Sequence, residues 1–276
     1  MSGIPASQMT YNELTALVGW YAEMGVDLAV DGVAHDRFAE DAPKPPPAPA
    51  VLPERRTAPV TRPMTEAVLA TPEAAIQSAR ELAAQAATLE ELRAALERFD
   101  GCALKRNAQK TVFADGNPQA RLMLVGEAPG ADEDRQGLPF VGRAGQLLDR
   151  MLAAISMDRS HVYIANAVPW RPPGNRTPTP QETAICLPFI RRQIELCNPS
   201  ILVCLGGASM MTLLGVKEGI MRMRGRWFDY PLGEGGQKIR AMATLHPAYL
   251  LRSPPQKRLA WRDLQEIAKA LRESDR

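Results

Sequence analysis

Three features of the sequence could do chemistry, and each lies at the end of an apolar run. They are the glycine-rich stretch Gly126–Gly130, the amide of Asn166 and the imidazole of His246. An amide both donates and accepts hydrogen bonds, and an imidazole can stabilise negative charge that develops during a reaction. The chain has only 3 histidines, so an imidazole-based reaction has few candidates. We therefore ask which elements could bring these three features together.

The alternation of apolar runs and helical patterns predicts those elements. The apolar runs are 121–125, 162–167, 201–205 and 239–245, and the helical patterns between them are 144–155, 180–195 and 209–214. Buried strands that alternate with helices predict a parallel sheet with helices on both faces. The fold class is therefore α/β, a three-layer αβα arrangement with a central, mainly parallel four-stranded sheet. Ligands of such sheets lie beyond the carboxyl ends of the strands, where the three features fall.

The first 70 residues differ in composition from the rest. Residues 9–30 have apolar residues at helical spacing, whereas residues 42–63 are proline-rich and typical of an extended linker. We predict a helical N-terminal segment over residues 1–40, a Pro-rich linker over 41–70 and the main α/β domain over 71–276. Within that domain, Thr71 and Thr88 are predicted to cap two helices.

Charge is distributed unevenly along the chain. Residues 1–100 carry 15 acidic and 8 basic side chains, whereas residues 101–276 carry 25 basic and 16 acidic ones. A basic main domain with an acidic leader is typical of a protein that faces a polyanion. A solvated charged surface without a partner is the simpler alternative.

The sequence also indicates the compartment. No signal peptide or membrane-spanning stretch is evident, and none of the 4 cysteines forms a C-x-x-C pair. We expect a cytoplasmic protein that has no contact with a membrane and no disulfides.

The longer motifs are more specific than the glycine-rich turn. That turn lacks both G-x-G-x-x-G and the Lys-Ser/Thr of a phosphate loop, which disfavours a nucleotide-phosphate-binding enzyme. The string GEAPGADEDRQGLPFVGRAGQLLD at 126–149, Asn166, RPPGNRTP at 171–178 and HPAYLLR at 246–252 follow in order. Together they resemble the motifs of family 4 uracil-DNA glycosylases, over residues 99–272. The resemblance implies a uracil-DNA glycosylase domain that hydrolyses the N-glycosidic bond of uracil and leaves an abasic site.

The resemblance implies a uracil pocket formed by Ala128, Phe140 and Asn166. The Asn166 amide can donate to O4 of a flipped uracil and accept from N3–H, and it would reject cytosine. Phe140 can stack on the base, and His246 can hydrogen-bond O2 as charge develops. Without the resemblance, Asn166 is a strand-end turn residue, Phe140 a core residue and His246 an isolated histidine.

Acidic residues are expected to assist the water that attacks C1′. Ala128 stands where some uracil-removing families have an aspartate, so the catalytic acids are Glu133 and Glu127. The resemblance suggests Glu133 as the more important acid, with Glu127 shaping the pocket. No lysine or N-terminal proline nucleophile is evident, and Pro173–Thr177 has no histidine to capture the sugar. We expect a monofunctional enzyme with no covalent intermediate.

The outer residues of the motifs are candidates for DNA contacts. Basic and amide side chains suit phosphates, and apolar side chains next to an arginine suit a wedge in the gap left by the flipped base. The predicted set is Arg171, Asn175, Arg176, Tyr249, Leu250, Leu251 and Arg252. Each one taken alone is an ordinary surface or packing residue.

The sequence departs from family 4 at its metal site. The resemblance implies a four-iron cluster held by four cysteines, but the corresponding positions are Phe99, Cys102, Trp170 and Cys186. A cubane cluster normally needs four thiolates. We predict no metal and no cofactor, with Phe99 and Trp170 packed into the vacated volume.

The sequence therefore predicts a monomeric uracil-DNA glycosylase of base excision repair, acting on single- and double-stranded DNA. A replication or repair protein could bind the N-terminal extension. The alternative from another class is a non-catalytic protein that binds uracil or lesions in DNA. Retention of His246 argues against that alternative, because a binder needs no donor to the leaving group.

Overall fold

The computed structural model describes residues 71–233 and 235–273, all within one compact unit, Thr65–Arg276. The predicted N-terminal helix and the Pro-rich linker lie outside the described residues. The helices are α1 Pro72–Gln85, α2 Leu89–Arg98, α3 Ala131–Gln136, α4 Arg143–Ala153, α5 Pro180–Cys197, α6 Gly207–Leu214, α7 Ile220–Met223, α8 Pro247–Arg252 and α9 Lys257–Glu273. None of these described helices is long and apolar enough to cross a membrane.

The strands form one sheet. They are β1 Asp115–Gly116, β2 Leu122–Gly126, β3 Val162–Asn166, β4 Ile201–Leu205, β5 Trp227–Leu232 and β6 Gln237–Thr244. The strand order is β1-β3-β2-β4-β6-β5. The four central strands are parallel, which confirms the predicted α/β fold, and β1 and β5 extend the sheet from four to six strands as antiparallel edges. The edge strands escaped prediction because β1 has 2 residues and β5 contains Pro231, which suits only an edge.

Alternate side chains of the central strands point into two different helical layers. Met123 and Val125 of β2 pack in a cluster with Ile194 of α5. Leu122 and Leu124 pack on the opposite face with residues of α4 and α9. Both faces of the sheet are therefore covered, as the three-layer prediction requires, and the strand ends are left as the accessible edge.

The two helices before the sheet begin at the predicted caps. The Thr71 hydroxyl accepts a hydrogen bond from the Ala74 N–H at 3.3 Å, and the Thr88 hydroxyl accepts from Glu91 N–H at 3.1 Å. The Glu91 carboxylate in turn accepts from the Ala87 N–H at 2.7 Å. The bonds to the two threonines satisfy N–H groups that have no partner within their own helices, and α1 then packs along α5.

An aromatic cluster lies among α1, α2 and α5. Trp170 is fully buried, and its indole Nε1–H donates to the Thr111 hydroxyl at 3.0 Å. Phe99 is also buried and lies against Phe189, with ring centroids 5.2 Å apart. Both rings belong to one apolar cluster with residues of α1, α2 and α5, so this core binds the first two helices to the rest of the domain.

Truncation of Trp170 should therefore destabilise the domain strongly. Removal of a fully buried indole by Trp170→Ala is expected to lower the free energy of unfolding by about 3–5 kcal/mol. Trp261 on α9 is 40% exposed, so Trp261→Ala is a matched control whose cost should stay near about 0.5 kcal/mol. Urea unfolding of the two variants measures both values. Equal losses would show that the Trp170 cluster does not hold the domain together.

Candidate active site

A cleft of about 500 Å³ opens at the carboxyl ends of the parallel strands. The structure brings together there most of the residues predicted from sequence: Glu127, Ala128, Glu133, Phe140, Asn166, Asn175, Arg176, His246, Tyr249 and Arg252. Arg171, Leu250 and Leu251 do not line it. The cleft therefore combines the ends of β2, β3 and β6 in one site.

The backbone of Gly126 forms the closest approach in the site. A Cβ at this position would lie 2.5 Å from Oδ1 of Asn166 and 2.7 Å from Cζ of Phe140. Both distances are too short for a Cβ, so any other residue would have to displace the amide or the ring. The amide and the aromatic ring consequently lie directly against one short piece of backbone.

The Asn166 side chain is largely enclosed, and its amide group forms no hydrogen bond with the described residues. The residue is 6% exposed. The amide lines the cleft, so a ligand that supplies one acceptor and one donor could bind both of its ends.

The His246 ring has a defined tautomer. Its Nδ1 accepts a hydrogen bond from the Ala248 N–H at 3.1 Å and so caps α8. The proton of the neutral ring is therefore assigned to Nε2. Burial lowers the pKa of His246 to about 4, and the positive charge of Arg252 acts in the same direction. At neutral pH, the imidazole is an uncharged donor beside the Phe140 ring, with centroids 5.6 Å apart.

The Glu133 carboxylate is occupied by the backbone. Oε2 accepts from Gly130 N–H at 3.1 Å, and Oε1 accepts from the N–H groups of Val141 and Gly142, each at 2.9 Å. Charge-assisted bonds of this kind are stronger than neutral ones. Glu133 therefore joins the turn after β2 to the turn that carries Phe140.

Glu127 differs from Glu133 in having a free oxygen. Among the described residues, its Oε1 is buried without any hydrogen-bond partner. Burial raises the pKa of this carboxyl above its usual value, partly opposed by a hydrogen bond with the Thr177 side chain. A buried carboxylate with an unused acceptor beside a cleft is a candidate for proton transfer or for holding water.

The predicted DNA contacts divide into accessible and buried residues. Leu250 is 1% exposed and packs with Met151 and Leu245 in the core, so it cannot be the wedge that the sequence suggested. Tyr249 and Leu251 are half-buried and remain available on α8. The reason is helical geometry, since neighbouring residues of a helix point in different directions.

Two arginines near the cleft, Arg171 and Arg176, are held by contacts within the protein. Arg176 pairs with both carboxylate oxygens of Glu182, at 2.7 and 2.8 Å. Arg171 donates from Nε to Oδ1 of Asn175 at 2.7 Å. Both arginines are thus oriented before any ligand arrives.

Several residues of the cleft were not predicted from the sequence. Gly206, Gly207 and Ala208 line it directly after β4, and they could have been found because they also follow a carboxyl strand end. Asp134, which does not line the cleft, is buried and accepts a hydrogen bond from the Gln109 N–H at 2.7 Å. No sequence signal identifies this long-range contact.

The four positions at which the resemblance implies iron ligands do not fit a cluster. Phe99, Cys102, Trp170 and Cys186 lie in one apolar cluster, and the two sulfurs are 3.9 Å apart. The two rings provide no thiolate and occupy the space between the elements, whereas a cubane needs four ligands. In the part of the chain that the structure describes, no three His, Cys, Asp or Glu side chains are grouped to hold a metal ion.

We therefore expect the purified full-length chain to lack the visible charge-transfer absorbance of iron-sulfur proteins. Iron and acid-labile sulfide should both be far below one equivalent per chain after anaerobic purification. A brown protein with stoichiometric iron would contradict the assignment of Phe99 and Trp170 to packing.

Comparisons with known proteins agree with this geometry. The model of the uracil DNA glycosylase superfamily matches residues 113–265. The chain is 43% identical over 159 residues to a type-4 uracil-DNA glycosylase from Thermotoga maritima, covering 57% of this chain and 80% of the relative. It is 40% identical over 157 residues to one from Archaeoglobus fulgidus, covering 55% and 78%. It is also 32% identical over 150 residues to a type-5 uracil-DNA glycosylase from Pyrobaculum aerophilum, covering 49% and 64%. The chain belongs to the uracil-DNA glycosylase superfamily.

Proposed function

We propose that this protein is a uracil-DNA glycosylase that hydrolyses the bond between uracil and deoxyribose and leaves an abasic site. The observation that carries the proposal is the convergence of the free Asn166 amide and the neutral His246 donor on one cleft. Similarity to proteins named type-4 uracil-DNA glycosylases supports it.

The Asn166 amide selects the base. A base within a duplex is inaccessible, so the nucleotide must be flipped into the cleft. The amide nitrogen donates to O4 of uracil, and Oδ1 accepts from N3–H. Cytosine presents an amino donor to the amide donor, and such an unmatched buried pair costs roughly 1–3 kcal/mol. Phe140 stacks on the ring and holds it in the plane of the amide.

His246 stabilises the leaving group. When the C1′–N1 bond breaks, its electron pair passes to uracil and develops negative charge on O2. The Nε2–H of His246 donates to that oxygen. Because its pKa is lowered to about 4, the imidazole donates as a neutral group and does not transfer its proton.

Glu127 holds the attacking water. The Glu127 carboxylate, which lines the cleft, accepts a hydrogen bond from water; the water oxygen forms the new bond to C1′, and the carboxylate takes up the released proton. Its negative charge also stabilises positive character on the sugar. From the sequence, Glu133 was expected to be the more important acid. It has three backbone N–H partners, so we assign it to shaping the pocket.

The outer residues bind the DNA strand. Arg171, Asn175 and Arg176 contact phosphates and supply affinity without sequence preference. Tyr249 and Leu251, next to Arg252, fill the gap left by the flipped nucleotide. These contacts need only one strand, which supports activity on single- and double-stranded substrates.

Strand scission tests the proposal directly. An oligonucleotide with a single uracil should break at that position after incubation and hot alkali, whereas the same oligonucleotide with thymine should remain intact. His246→Ala should slow cleavage by about 100- to 1,000-fold, since one donor to the leaving group is lost. His161 is an exposed histidine outside the cleft, so His161→Ala is the matched control and should keep the full rate.

Each outcome of that assay has a defined meaning. Tight binding of uracil-containing DNA without scission would support the non-catalytic alternative. Full activity of His246→Ala would remove the imidazole from the mechanism.

The pH profile tests the role of Glu127. Glu127 must be ionised to hold water, and burial raises its pKa, so the cleavage rate should fall as pH drops through a value above the usual range of glutamate. Glu127→Gln should be slower and should lose this acid limb. His246→Ala is the control variant, because its residual activity should keep the limb. An unchanged limb in Glu127→Gln would assign the titration to another group.

A further inference from the structure

We propose that Arg159 is a positioning residue of this reaction, which fixes the backbone of Phe140 so that the ring lies against Gly126. The inference rests on the proposed function, in which that ring stacks on the flipped base. Arg159 does not line the cleft, so it acts only through the turn that carries Phe140.

The guanidinium of Arg159 donates hydrogen bonds to two consecutive carbonyl groups of that turn. Arg159 lies in a 3₁₀ turn, Arg159–His161, immediately before β3. It donates to the carbonyl oxygen of Phe140 and, at 3.2 Å, to that of Pro139. Arginine suits this position because its planar group offers several donors in fixed directions.

Two carboxylates orient the guanidinium. Nη1 lies 2.5 Å from Oδ2 of Asp115, and Nε lies 2.8 Å from Oδ1 of Asp149. The Arg159 side chain is 26% exposed, so these pairs are partly shielded from water. The three residues come from β1, from α4 and from the turn before β3, which connects the Phe140 turn to the rigid sheet.

Phe140 needs such support because its backbone is strained. Its φ is 54°, in the left-handed region that non-glycine residues rarely adopt. Its carbonyl oxygen also lies so close to Gly145 of α4 that any side chain there would overlap it. The carbonyl group is therefore enclosed between the helix backbone and Arg159.

The same turn is held from its other side by an opposite charge. The Glu133 carboxylate accepts the N–H groups of Val141 and Gly142, while Arg159 binds the carbonyl groups of Pro139 and Phe140. Because Glu133 holds the N–H groups and Arg159 holds the carbonyl groups, the peptide groups of this turn have little freedom to rotate. The Phe140 ring is thus placed before the base enters.

Substitution of Arg159 should lower kcat more than it changes KM. Arg159→Lys keeps the charge but loses the planar donors, and a displaced ring is expected to lower kcat by about 10- to 100-fold. KM for uracil-containing DNA should change little, because the phosphate contacts are elsewhere. Arg192 also binds a backbone carbonyl, that of Ala86, and a carboxylate, that of Glu195. It lies outside the cleft, so Arg192→Lys is the matched control and should keep both constants.

A double-mutant cycle separates positioning from general stability. If Arg159 acts through Phe140, then Arg159→Lys should lower kcat no further in a Phe140→Ala background, because the ring to be positioned is gone. Millimolar guanidinium should partly restore the kcat of Arg159→Ala but not that of Phe140→Ala. A full rate for Arg159→Lys, or independent losses that multiply in the double variant, would overturn the inference. Absence of scission by the unmodified protein would instead contradict the proposed function.

Discussion

The site depends on three hydrogen bonds that the Glu133 carboxylate accepts from two separate turns. One turn ends β2, and the other carries Phe140. Neither is a regular element, and neither would keep its geometry alone, since short turns rich in glycine have many conformations. The pairing of β2 with β3 places Gly126 beside Asn166, and the Glu133 carboxylate then fixes the turn that carries Phe140 relative to both. The remaining features of the cleft are arranged around this junction.

Burial has opposite consequences for the two groups assigned to the chemistry. It lowers the pKa of the His246 imidazole and raises that of the Glu127 carboxyl, because in both cases the charged form loses solvation. For the imidazole, the result is a neutral donor over the whole neutral range. For the carboxyl, the result is a stronger base than an exposed glutamate. Burial therefore keeps the His246 imidazole neutral and makes the Glu127 carboxylate more basic.

Much of the fold could be predicted from sequence because its strands are apolar runs that end in chemically distinctive residues. The four parallel strands and the caps at Thr71 and Thr88 follow from local patterns, and the strand-end rule places Asn166 and His246 together. The edge strand β5 was missed because it is not a continuous apolar run and contains Pro231. The different roles of Glu127 and Glu133 could not be predicted from the sequence either. Glu133 binds N–H groups of its own segment, those of Gly130, Val141 and Gly142, but the order of residues in a motif does not show which backbone groups a carboxylate will face. The contacts of Arg159 and the burial of Leu250 likewise depend on the folded structure.

The bond between the Ala248 N–H and Nδ1 of His246 does more than start a helix. It forbids the rotated ring, because a flipped imidazole would present a carbon to the helix and lose its cap. The donor therefore points one way while the cleft is still empty, and no reorientation is needed when charge develops on a leaving group. The same hydrogen bond thus starts α8 and orients the His246 ring before any ligand binds. The helix that carries Tyr249 and Arg252 therefore begins at the same ring that lines the cleft.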